Sequence, residues 1–211
     1  MGETMSNFAS AKQFIKNGID TKQESISGGG STMASTVAFR YFLPKYIKQY
    51  GIESILDIGC GDWHWMSTIR EEFPDVDYEG WDASEDMIGP MTEKYGTENT
   101  RFEVKDIIDN KYPKVDLVIA RDVLFHLKED YLKKVLKNIS KAGVKYLLAT
   151  TFPGLPKNEE LTPKKYDGWG FRPINLDIEP YNMKDYCIND FKETTAPNRG
   201  YHRHVYLYEV K

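Results

Sequence analysis

Three strand-like runs in this chain each deliver an aspartate at their end: "SILDIG" carries Asp57, "YEGWDAS" carries Asp82 and "FEVKDI" carries Asp106. In an open α/β sheet such positions share the C-terminal edge, where ligands bind. An ionised carboxylate only accepts hydrogen bonds, so it suits an ammonium, a pair of hydroxyls or an exocyclic amine. Asp57 is followed by Gly59, Cys60 and Gly61, a turn bare enough for a ligand to approach the backbone. N–H groups at the start of the next element would face that ligand. Asp82, with Ala83, stands about twenty residues past the last glycine, where dinucleotide folds place the acid that binds ribose hydroxyls. Asp106 can accept from a ring amine, with Ile107 against the ring. Aspartate is also a favoured helix cap, but three at one sheet edge are hard to explain as caps alone.

The dinucleotide fingerprint Gly-x-Gly-x-x-Gly lacks its third glycine here; His64 stands there, between Trp63 and Trp65. A single nucleoside with an amino-acid tail needs only the shorter turn. Further along, "ARDVLFHL" places Asp122 and His126 just past another strand, as candidate general bases. Histidine has an unperturbed pKa of about 6.5, suited to neutral pH; the alternative for His126 is a structural role at a helix start. Arg40, Arg121 and Arg172 can supply positive charge over the strand ends, and arginine matches carboxylate and phosphate bidentately. Trp169 and Arg172, in "YDGWGFRPINL", are expected to face a substrate pocket. Cys60 reads as a small buried residue, since nothing basic adjoins it. His202 and His204 share a strand face but have no third partner of suggestive spacing, so no metal is expected.

The elements that must position these groups alternate. A helix is expected after "SISGGGST", capped by Ser31 or Thr32, kinked or restarted at Pro44 and ended by Gly51. "SILDIG" then reads as a buried strand, "DWHWMSTIREEF" as a helix and "VDYEGWD" as a strand. "SEDMIGPMTEKYG" reads as a helix start broken at Gly89-Pro90. "TRFEVKDI", "VDLVIARD" and "VKYLLATTF" are strands, and "KEDYLKKVLKNISKAG" is an amphipathic helix with Leu132, Val135, Leu136 and Ile139 facing in. This order implies a mostly parallel α/β sheet with right-handed crossovers. Pro153 to Pro180 holds half of the chain's 10 prolines and no clear period, a pattern that marks functional loops. Two closing runs, "DYCINDFKETT" and "HRHVYLYEV", are placed to pair antiparallel.

With 211 residues and a net charge of -4, the chain fits one globular domain and lacks the basic footprint of a nucleic-acid binder. No run approaches a membrane span or a signal peptide. "MGETMS" fits the loose myristoylation pattern, which is discounted as short. Two distant cysteines suggest no disulfide framework and a reducing cytoplasm.

"LDIGCGD", "GWDAS", "EVKDI" and "VDLVIARDVLFHL" together resemble the class I S-adenosylmethionine-dependent methyltransferases over Ser54 to Thr151. "SGGGSTMAST", "RDVLFHL", "LLATTF" and "GWGFRPINL" extend the resemblance to a group of small bacterial methyltransferases and to nearly the whole chain. The resemblance implies a Rossmann-like α/β sheet of seven strands in the order 3-2-1-4-5-7-6, with strand 7 antiparallel and helices on both faces. It implies S-adenosylmethionine as cofactor, with Asp57, Gly59, Cys60 and Gly61 along the methionine moiety, Asp82 and Ala83 at the ribose, Asp106 and Ile107 at the adenine, and Arg121 at the border. One domain over 1–211 is expected: an N-terminal helical cap (1–50), a cofactor-binding core (51–152), a substrate lid loop (153–183) and a C-terminal strand pair (184–211). The expected acceptor is a small hydroxyl compound, anionic or saccharide-related, with Arg40, Trp169 and Arg172 binding it. An NAD-dependent oxidoreductase and a non-catalytic cofactor-binding protein of the same fold are the alternatives. The oligomeric state is not readable.

Overall fold

The computed structural model describes residues 24–160, 170–193 and 202–211. Residues 1–23 of the expected N-terminal helical cap, and Trp169, lie outside them. Seven strands form one sheet: β1 (Ser54–Ile58), β2 (Asp77–Asp82), β3 (Thr100–Val104), β4 (Leu117–Ala120), β5 (Tyr146–Thr151), β6 (Cys187–Lys192) and β7 (His204–Glu209). Their order is β3-β2-β1-β4-β5-β7-β6. β1 to β5 run parallel, and β7 pairs antiparallel with both β5 and β6. Order and direction are those expected of the class I fold. The order reverses between β1 and β4, which opens the crevice at their C-terminal ends.

Helices cover both faces: α1 (Val37–Tyr50), α2 (Glu85–Tyr95) and α3 (Glu129–Lys141). Phe39 and Leu43 of α1, with Met87 and Met91 of α2, pack with Trp63, Trp65, Tyr78 and Phe102 in one core. Leu132, Val135 and Ile139 of α3 pack on Leu56, Ile58, Val118 and Leu147 in the other. β4 is therefore buried at every residue, which explains its unbroken apolar run. Glu129 and Asp130 in the first turn of α3 complement its dipole.

Three local expectations are corrected. The stretch expected to be a helix from Asp62 to Phe73 holds two 3-10 turns instead, Met66–Thr68 and Arg70–Glu72. Ser67 and Thr68 hydroxyls donate to the carbonyls of His64 and Trp65, drawing those acceptors into a tighter turn. α2 runs unbroken through Gly89-Pro90, held by the Ser84 cap on the Met87 N–H and by three buried side chains, Met87, Ile88 and Met91. α1 starts after Thr36, not at Ser31 or Thr32, because the Thr36 N–H and hydroxyl both donate to the Thr32 carbonyl in the preceding turn. Pro44 sits inside α1, where burial of Phe39, Leu43, Tyr46 and Ile47 outweighs one lost hydrogen bond. Gly51 ends the helix as expected, in the left-handed region at φ 59°.

Candidate active site

The glycine turn after β1 is closed by its neighbours. Gly59 and Cys60 N–H groups both donate to the Trp81 carbonyl, at 2.7 and 3.0 Å. The Gly61 N–H donates to Asp82 Oδ2 at 3.1 Å, and Ser84 N–H to Asp82 Oδ1 at 3.0 Å. Asp82 thus ties the end of β2 to the turn. Burial raises its carboxyl above the usual value, and the N–H groups of Ser84, Gly61 and Ala83 pull against that. Gly59 and Gly61 have φ of 74° and 60°. A Cβ on Gly61 would stand 2.3 Å from Ser27 Oγ, so only glycine fits there. Trp63 also takes a left-handed φ, 55°, although it is not glycine. Its ring packs with Tyr78, Tyr95 and Phe102, and this packing holds the strained backbone.

Asp57 is buried at the end of β1 and accepts from the Tyr78 hydroxyl at 2.6 Å. Burial pushes its carboxyl up to about 7, opposed by the Tyr78 hydroxyl and the Arg121 charge. An ammonium placed beside it would restore its charge. Asp106 is half-buried past β3 and accepts from the Ile108 N–H at 2.7 Å, with Ile107 half-buried beside it. Cys60 is buried, and burial drives its thiol well above the ordinary range.

The Asp62 N–H, just beyond the turn where N–H groups were expected to face a ligand, is engaged by the chain's own N-terminal segment. Asp62 N–H donates to Ser27 Oγ at 2.7 Å. The Asp62 carboxylate accepts from Ser25 Oγ (2.8 Å), Ile26 N–H (2.9 Å) and Ser27 Oγ (3.0 Å). The "SISGGGST" segment is therefore strapped over the turn.

Past β4 lies a cluster that sequence reasoning reached only in part. Arg121 is buried, its guanidinium over the rings of Phe39 and Trp65 at 5.7 and 5.6 Å. Arg121 Nε donates to Glu193 Oε1 at 2.9 Å, and Nη2 to the Gly30 carbonyl at 2.8 Å. Glu193 has no solvent exposure and also pairs with Arg203 Nε at 2.6 Å. Arg203 Nη1 closes on Asp122, which also takes the Thr150 hydroxyl at 3.0 Å. Asp122, expected as a candidate base, is held at φ 57° between two guanidinium groups. Glu193 and Arg203 were missed, because each stands in an ordinary polar strand run with no spacing to Arg121.

The other expected residues are spread out. His126 is exposed on a 3-10 turn (Leu124–His126), its ring 4.5 Å from that of Phe125 and 6.4 Å from that of Phe171. Arg172 has no exposed surface. Its N–H donates to the Phe125 carbonyl and its Nη2 to the Leu127 carbonyl, so it grips the chain on both sides of His126. Arg172 Nη2 also reaches the Tyr181 hydroxyl at 3.1 Å, while Nε and Nη1 find no acceptor among the described residues. Such an enclosed guanidinium presents no open face to an acceptor here. Arg40 turns back onto its own segment, donating to Thr36 Oγ1 and the Met33 carbonyl. Among the described residues no three His, Cys, Asp or Glu side chains group as a metal site, and no helix is long and apolar enough to cross a membrane.

Residues 56–143, which contain the glycine turn, the three aspartates, Arg121 and His126, match the family model described as a methyltransferase domain. No protein of curated function matches the sequence. Among solved structures, the chain is similar to the 1,6-didemethyltoxoflavin-N1-methyltransferase of Burkholderia thailandensis, with TM-score 0.71 and 15% identity over 100% of this chain and 91% of that one. It is similar to the N-methyltransferase NodS of Bradyrhizobium japonicum, with TM-score 0.67 and 10% identity over 95% and 98%. It is also similar to the magnesium protoporphyrin IX methyltransferase of Synechocystis, with TM-score 0.64 and 16% identity over 95% and 98%. At these identities the structures speak for the fold, and the family model speaks for the domain. The chain is an S-adenosylmethionine-dependent methyltransferase, and S-adenosylmethionine is its cofactor.

Proposed function

We propose that this methyltransferase O-methylates a small hydroxyl-bearing acceptor, anionic or saccharide-related, and that it belongs with the small bacterial enzymes sharing its "SGGGST" and "RDVLFHL" runs. The observation that carries the cofactor assignment is the convergence of Asp57, Asp82 and Asp106 on one sheet edge around the Gly59–Gly61 turn. The donor set fits the group. Asp57, two residues before the turn of Gly59, Cys60 and Gly61, suits the ammonium of the amino-acid tail. Asp82, with Ala83, suits the ribose hydroxyls, and Asp106 with Ile107 suits the adenine amine and ring.

When bound, the cofactor supplies an activated methyl group on a positively charged sulfur. The protein's task is then orientation, which can contribute about 7–11 kcal/mol. A hydroxyl acceptor also needs a base. Asp122 is held between Arg203 and Arg121, and His126, exposed on the turn past β4, is the base in this reading. Arg172 acts through the chain that carries His126, and Arg121 borders the cofactor. Trp169 is the further residue proposed to meet the acceptor, and Arg40, which donates to Thr36 and Met33, would have to leave those partners to do so.

The experiment is release of the demethylated cofactor with matched acceptors, each a hydroxyl compound with and without a carboxylate or phosphate. Turnover of hydroxyl acceptors, faster for the anionic partner of each pair, supports the reading. Turnover confined to nitrogen acceptors would overturn it.

A further inference from the structure

The cluster past β4 contains more than the site requires. Four charged side chains meet there: Arg121 from the end of β4, Asp122 beside it, and Glu193 and Arg203 from the ends of β6 and β7 that face the same sheet edge. Two cations and two anions balance. Glu193 is the member with no solvent exposure, and it touches both arginines, at 2.9 Å to Arg121 and 2.6 Å to Arg203. A buried carboxylate between two guanidinium groups fixes both, because moving either leaves a buried charge unpaired. Arg121 passes the constraint on through Nη2 to the Gly30 carbonyl, at 2.8 Å. Gly30 is also seated against the cluster: a Cβ there would come within 2.8 Å of Asp122 Oδ2 and 3.4 Å of Arg203 Nη1. The segment pinned at Gly30 is the one whose Ser25 and Ser27 hydroxyls bond to Asp62, next to Gly61.

We infer that Glu193 is a positioning residue that, through Arg121 and the Gly30 carbonyl, holds the 24–33 segment closed over the cofactor turn. Asp62 fastens that segment at one end and the Arg121–Glu193–Arg203 chain fastens it at the other. The C-terminal hairpin therefore sets how firmly the cofactor is covered, although neither Glu193 nor Arg203 reaches the glycine turn itself. The inference rests on the assignment of the Gly59–Gly61 turn to S-adenosylmethionine.

The test uses the full chain, in wild-type, E193Q and G30A forms. Amide hydrogen exchange and calorimetric titration with S-adenosylmethionine are measured on the same preparations, well below the melting transition. E193Q removes the charge and keeps the shape. G30A disturbs the seat and leaves every buried charge in place, so it remains informative if E193Q folds poorly. The expected result is faster exchange over 24–36 in both variants, with β4 and β5 exchanging as in wild type, and a cofactor Kd raised about tenfold. A purely structural Glu193 would speed exchange throughout the sheet and leave the Kd of the folded fraction and the G30A protein unchanged; that outcome overturns the inference. Wild-type protein that does not bind S-adenosylmethionine would instead overturn the cofactor assignment, and the exchange data would still show whether Glu193 holds the segment.

Discussion

The two halves of the sheet edge are built on different principles. At the ends of β1, β2 and β3, single aspartates are satisfied locally: Asp82 by Gly61 and Ser84 N–H groups, Asp106 by Ile108 N–H, Asp57 by one tyrosine hydroxyl. Past β4 and at the ends of β6 and β7, charges are satisfied by other charges, and the groups come from distant parts of the chain. Glu193 lies 72 residues from Arg121, and Gly30 lies 91 from it. The first arrangement leaves carboxylate lone pairs for a ligand. The second uses its charges on itself, which makes it a brace.

The sharpest way to break this contrast is His126, exposed on the 3-10 turn that follows β4. His126→Ala should lower turnover by about 100- to 10,000-fold, with cofactor affinity and melting temperature near wild type. Lower stability with normal turnover would make His126 structural. Next is the brace itself. Glu193→Ala leaves two buried arginines sharing one acid, and should cost about 3–5 kcal/mol of stability by denaturant titration. A loss under about 1 kcal/mol would mean that the pairs behave as surface ion pairs.

The local side should respond differently. Asp82→Ala should weaken cofactor binding by about 1.5–3 kcal/mol, the scale of a hydrogen bond to a charged group. Its melting temperature should change less than that of Glu193→Ala, and the reverse ranking would undo the contrast. A further effect concerns Asp57, whose carboxyl burial raises to about 7. In the unfolded chain it titrates near 4. The native state then binds the extra proton between those values, so stability should fall as pH rises from about 4 to about 7 and level off above. Asp57→Asn should remove that slope from the pH–stability curve. A slope of unchanged size in the variant would assign it to other groups.

The same contrast explains what could be read in the chain beforehand. The strands and the three aspartates were legible because each is a short run whose pattern and terminal acid sit together, whereas the strand order was implied only by the resemblance to class I methyltransferases. Glu193 and Arg203 were not, because an acid in "DFKETT" and an arginine in "HRHVY" look like ordinary polar strand positions until the hairpin brings them to Arg121. The stretch from Asp62 to Phe73 misled for a related reason. Its apolar spacing suits a helix, but Asp62 bonds to Ser25, Ile26 and Ser27, and Trp63 packs into the core at positive φ. Arg172 was expected at the acceptor because arginine concentrates binding energy. In the fold it is enclosed and grips the chain beside His126. Both tryptophans after the glycine turn are buried in the core, and Trp65 also forms part of the wall behind Arg121.

Calorimetric titration of the wild-type chain with S-adenosylmethionine, its demethylated product and NAD, repeated on Asp82→Ala, tests the central assignment most directly. Both sulfur nucleosides should bind one site and NAD should not, and Asp82→Ala should weaken both by about tenfold or more. Binding of NAD in their place, or affinities unchanged in a folded Asp82→Ala protein, would contradict it.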